Sequence, residues 1–73
     1  MKSRPEALRS QRELKGHTLT SLASIADISK QRLWQLEDEA TGLLPTTAKR
    51  IADALGVDIT DIATLTETEE VAS

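Results

Sequence analysis

The 73-residue chain has no cysteine, no phenylalanine and no tyrosine, and only a single histidine and a single tryptophan. Without cysteine there is neither a disulfide framework nor a thiolate metal site, and His17 alone cannot assemble a metal cluster, so the chain must fold by apolar packing. No apolar run reaches the roughly 18 residues that a membrane span needs. The opening segment, Met1-Lys2-Ser3-Arg4-Pro5, lacks the apolar stretch of a secretory signal, and a cytoplasmic protein is expected. There is no nucleophile paired with a base and no glycine-rich loop to cradle a phosphate, so neither an enzyme nor a cofactor is expected. A chain this short holds one domain, with too small a core for a large substrate cavity.

An excess of positive charge is also missing, since the formal net charge is −3. The total hides an asymmetry. Residues 1–50 carry all nine Lys and Arg against six acids, a net of plus three, whereas residues 51–73 carry six acids and no base. A basic working end joined to an acidic end follows.

Helix signals punctuate the chain. Pro5 with Glu6 opens a first helix through Leu8, Arg12 and Lys15 that stops at Gly16. Thr18 reads as the N-cap of a short second helix, with Leu19, Leu22, Ala23, Ile25 and Ala26 at helical spacing. Asp27 and Ile28 make a turn, and Ser29 caps a third helix over residues 29–37 in which Leu33 and Leu36 face the core. Residues 38–44 read as a loop. Pro45 and Thr46 start a fourth helix, with Ala48, Ile51, Ala52 and Leu55 inward, that Gly56 ends. A last short helix is expected from Asp58 or Thr60. No β-branched alternation suggests a strand, so the expected fold is all-α, a compact bundle of five short helices over residues 1–65. The polar, acidic residues 66–73 are expected to be a disordered tail.

Two short helices joined by a tight turn, over residues 18–37, are what a DNA-reading helix-turn-helix needs, because the first braces the second in the major groove. At about 100 degrees per residue Leu33, Leu36 and Glu37 share the inward side of the third helix, leaving Gln31 and Gln35 at the centre of the opposite face with Arg32 and Trp34 beside them. Glutamine matches the N6 and N7 edge of adenine, and Lys30 reaches guanine acceptors or a phosphate. Lys30, Gln31, Arg32 and Gln35 are therefore the expected base readers. Lys15, Thr18 and Ser29 are the expected phosphate-positioning residues, the last two at helix N-termini. Trp34 stays open among three roles: packing at the core edge, contact with a thymine methyl or sugar, and contact with a protein partner.

The chain resembles the Cro/CI-type (XRE) helix-turn-helix family of phage repressors and bacterial regulators. The resemblance runs from Leu8 to Ile62 through Gly16-His17-Thr18, Leu22-Ala23, Ile28-Ser29, Leu33 to Glu37, and Arg50-Ile51-Ala52-Asp53-Ala54-Leu55-Gly56-Val57. It implies a lambda-repressor-like domain whose second and third helices form the motif, and a buried ion pair between Arg12 and Glu37. Three departures from the family pattern stand out. Leu19 stands where a glutamine commonly touches phosphate, Asp27 and Glu39 replace glycines, and the loop after the third helix, Glu37-Asp38-Glu39-Ala40-Thr41-Gly42, is acidic where it is often basic. Acids near the phosphate path weaken binding, so modest affinity and a need for dimerisation or a partner are expected.

The resemblance implies a sequence-specific binder of double-stranded DNA, a repressor or Cro-like switch of phage, host or mobile-element type. A homodimer on a palindromic site would use Val57, Ile59, Ile62 and Leu65 as its interface. The competing expectation is a protein-binding module that meets another regulator through the acidic loop or tail and exposed Trp34 or Leu44.

Overall fold

The computed structural model describes residues 1–64, and the element boundaries follow the local signals closely. Leu65 and the acidic segment 66–73 lie outside the described residues. A two-residue strand β1 (Lys2–Ser3) precedes helices α1 (Pro5–Leu14), α2 (Leu19–Ala26), α3 (Lys30–Asp38) and α4 (Pro45–Leu55). A 3-10 turn (Ile59–Asp61) and a second short strand β2 (Ala63–Thr64) follow. No helix among the described residues is long and apolar enough to cross a membrane.

Caps define the helices. Pro5 occupies the first turn of α1 and Pro45 that of α4, where a missing N–H is harmless. Thr18 Oγ1 accepts from the Ser21 amide at 3.0 Å to start α2, and Ser29 Oγ accepts from the Arg32 amide at 3.0 Å to start α3. The turn joining α2 to α3 is closed by Asp27 in the left-handed region, φ 59 and ψ 46. The Ile28 amide reaches back to the Ala23 carbonyl at 3.0 Å and that of Asp27 to Ser24, the two bonds of a Schellman ending.

The core is made by the inward faces of all four helices, with Leu8, Leu22, Leu33, Leu36, Ile51 and Ile62 fully buried. Each such side chain contributes about 1.5–3 kcal/mol relative to exposure. Small residues on facing sides, Ala23 and Ala26 on α2 with Ala48 and Ala52 on α4, let those two helices pack closely. Ile25 departs from the expected inward set and is 57% exposed. At 100 degrees per residue it sits about 100 degrees from the stripe formed by Leu22, Ala23 and Ala26.

Two expectations are corrected. There are four α-helices rather than five, because the last element stops after a single 3-10 turn. Asp58 and Asp61 cap each other reciprocally there, and the chain enters strand β2 at Ala63. The fold also includes a strand pair: β1 and β2 are antiparallel, with Lys2 opposite Thr64 and Ser3 opposite Ala63. Two residues per strand are too few to show an alternating pattern. On its other side β1 meets the loop after α3, where the Ser3 amide donates to the Thr41 carbonyl at 2.9 Å and the Leu43 amide to the Met1 carbonyl at 2.7 Å. Met1, Ser3 and Leu43 are thereby buried, although none stood out in the sequence.

Candidate nucleic-acid interface

The pose of α3 is fixed from beneath by one charged pair. Arg12, from α1, donates through Nε to Glu37 Oε2 at 2.8 Å and through Nη2 to Oε1 at 3.0 Å. Its remaining nitrogen, Nη1, donates to the His17 carbonyl at 2.9 Å. A planar guanidinium matches a carboxylate in this forked way, and a single side chain thus holds α1, the entry to α2 and the end of α3. The two side chains are 12% and 7% exposed. The bond to Glu37 holds the Arg12 guanidinium above the usual arginine range, against the opposing effect of burial. His17 Nδ1 lies 2.9 Å from Ser21 Oγ, adding a second tie at the start of α2.

With Leu33 and Leu36 buried and Glu37 engaged, the outward side of α3 presents Lys30, Gln31, Trp34 and Gln35, all exposed. None of these four side chains has a hydrogen bond or ion pair with another described residue. Arg32 does not join them. It is half-buried, and its Nη2 donates to the Gly42 carbonyl at 2.6 Å, so it braces the loop after α3. On the wheel Arg32 lies about 70 degrees from the buried centre of α3, which the presence of a charge disguised in the sequence.

The residues expected to meet phosphates surround this face unevenly. Thr18, Leu19, Thr20 and Lys30 border one shallow open cleft between the starts of α2 and α3. Lys15 is exposed just before it, at the C-terminal end of α1. Thr18 and Ser29 are exposed, and each hydroxyl caps its own helix. Leu19 also borders a second, smaller cleft with Arg9, Arg12, Trp34, Glu37 and Asp38.

Of the acids at and just after the end of α3, Glu37 is neutralised by Arg12, while Asp38 and Glu39 face solvent. The Glu39 carbonyl accepts from Ser3 Oγ at 3.3 Å and from Thr41 Oγ1 at 2.9 Å, and the Thr41 amide donates back to Ser3 Oγ at 3.2 Å. The loop is therefore ordered by its backbone. Ser3 had no sequence signal, being a lone small polar residue outside any periodic segment.

The surface expected for dimerisation is reduced. Ile62 is 0% exposed and belongs to the core, because its position three residues after Ile59 across a 3-10 turn carries it under the bundle. Val57 and Ile59 are half-buried against the core, and Leu65 is outside the described residues. Leu44 is 68% exposed. Among the described residues no group of three or more His, Cys, Asp or Glu could hold a metal ion.

Comparison with known proteins follows from this geometry. No curated protein matches the chain. Among solved structures, a hydroxyethylphosphonate dioxygenase variant superimposes with a TM-score of 0.77 at 22% identity, over 92% of this chain and 14% of that one. This chain thus spans about one seventh of the dioxygenase. The biofilm master regulator SinR in complex with DNA gives a TM-score of 0.74 at 22% identity, over 80% of this chain and 97% of that one. The restriction-modification controller protein C.AhdI from Aeromonas hydrophila gives 0.73 at 19%, over 78% and 86%. At such identities these likenesses establish the shared fold. The helix-turn-helix family model matches residues 8–62, and the chain belongs to that family, in its Cro/CI (XRE) type, a family of DNA-binding regulators.

Proposed function

We propose that the chain is a sequence-specific transcriptional regulator that lays α3 in the major groove of double-stranded DNA and acts as a repressor or Cro-like switch. The carrying observation is the division of α3 into two sides. Leu33, Leu36 and Glu37 anchor it, and Lys30, Gln31 and Gln35 are exposed, with side chains that engage no other described residue. A glutamine offers a donor and an acceptor together, which suits the N6 and N7 edge of adenine, and Lys30 suits guanine O6 and N7 or a phosphate. Lys15, Thr18 and Ser29 would position the duplex without reading it. Binding rather than catalysis is the role assigned to the chain. The likeness to SinR, solved with DNA, is in keeping with this.

One α3 reads only a few base pairs, and the net charge of −3 gives little general attraction to phosphate. Both considerations favour a two-fold homodimer on a near-palindromic site, with half-sites about one helical turn apart. Mass by light scattering, with and without duplex, checks this.

Selection of duplexes from a random pool by the purified chain tests the DNA assignment, and a pool that enriches no motif overturns it. On the enriched site, affinity should fall steeply with salt. Gln31→Ala should relax preference at one base step by about 1–3 kcal/mol, while Lys15→Ala should weaken all sequences alike and flatten the salt slope by about one unit.

A further inference from the structure

The role of Trp34 is left open by helical spacing and is narrowed by the structure. Lys30 with Trp34 and Gln31 with Gln35 form two neighbouring rows on α3, and on the wheel Trp34 falls between Lys30 and Gln31. Its side chain is 53% exposed, so it belongs to the outward face of the helix. The inner edge of the ring borders the small cleft with Leu19, Arg9 and Arg12. The indole thus shares one cleft with Leu19 of α2 and with charged side chains, and about half of its surface is in water.

A duplex edge engaged by both Gln31 and Gln35 passes beside this ring, which lies about 60 degrees from Gln31 on the wheel. An indole face offers no acceptor and no donor, and the one apolar group on the major-groove edges of the bases is a C5-methyl. We propose that Trp34 is a specificity-determining residue that covers the C5-methyl group of a pyrimidine, thymine or 5-methylcytosine, next to the bases read by Gln31 and Gln35. The proposal rests on the DNA-binding assignment above and extends it by one residue and one chemical group. Leu19 borders the same cleft as the ring, on the side of α2.

The test uses the full chain and a synthetic duplex carrying the enriched site. Each thymine is replaced in turn by deoxyuridine, which removes the methyl and keeps the pairing, and each cytosine in turn by 5-methylcytosine. The expected result is one position at which the methyl strengthens binding about fourfold, the effect of covering one methyl-sized group. The same change should have almost no effect on Trp34→Ala and a partial effect on Trp34→Leu, with circular dichroism showing both variants folded. The deoxyuridine arm identifies thymine as the source, and the other arm identifies 5-methylcytosine. As the sole aromatic residue, Trp34 should also change its fluorescence on binding the site. A parent chain with no methyl-sensitive position, or a Trp34→Ala chain that keeps the parent's sensitivity, overturns the proposal while leaving DNA binding intact. Failure to enrich any duplex overturns the DNA assignment and this proposal together, and turns the exposed indole into a candidate protein contact.

Discussion

Arg12 commits all three of its guanidinium nitrogens to partners on other elements. Truncating it would leave Glu37, which is 7% exposed, as an unpaired carboxylate in the interior. Arg12→Ala should therefore lower stability by about 3–5 kcal/mol in urea unfolding, and an unchanged midpoint would show that the pair carries no weight. The pair also has a definite pH signature. Because the folded Arg12 titrates above its unfolded value, its contribution is complete below the unfolded value and is lost only as pH rises through the folded one. The stability gap between the parent and Arg12→Ala should accordingly stay constant from about pH 7 to about pH 10, even as other groups titrate.

At the scale of single elements, the helix-turn-helix depends on its caps. Ser29→Ala deprives the Arg32 amide of its acceptor and should cost about 1 kcal/mol, with α3 fraying in hydrogen exchange before α4 does. The turn before it contains a correctable strain. Asp27 is the one non-glycine residue at positive φ among the described residues, in a place where glycine carries no steric penalty. Asp27→Gly should raise stability by about 0.5–1 kcal/mol in thermal unfolding and remove an acid beside the reading helix.

Caps and turns were also the parts most legible in the sequence. Thr18, Ser29, Gly16, Gly56 and the two prolines are each local, so their meaning can be read without the partner. Arg32 shows the limit of such reading. Helical angle places it at the border of two faces, and only the position of the Gly42 carbonyl decides that it turns toward the loop. Ile25 misled for the same reason, since a helix of two turns gives few points from which to draw the buried stripe.

For the molecule as a whole, the least legible part was its first three residues. Met1 and Ser3 are buried between the loop after α3 and the last strand, in pairings 36 or more residues distant in sequence that no local pattern announces. They stitch the loop that follows α3 to strand β2. Ser3→Ala would deprive the part-buried Thr41 amide of its acceptor, while the Glu39 carbonyl keeps Thr41 Oγ1, costing about 1 kcal/mol. Since a domain of this size holds only about 5–10 kcal/mol in total, a drop in melting temperature of several degrees should follow, with faster amide exchange at Thr41.

The four outward side chains of α3 contribute no hydrogen bond or ion pair to the framework among the described residues. On the proposed assignment, what the domain recognises and whether it folds are therefore written in largely separate sets of positions. Replacing Lys30, Gln31 and Gln35 together should yield a chain as stable as its parent, with a different vocabulary, so that one scaffold can drift from target to target by neutral steps.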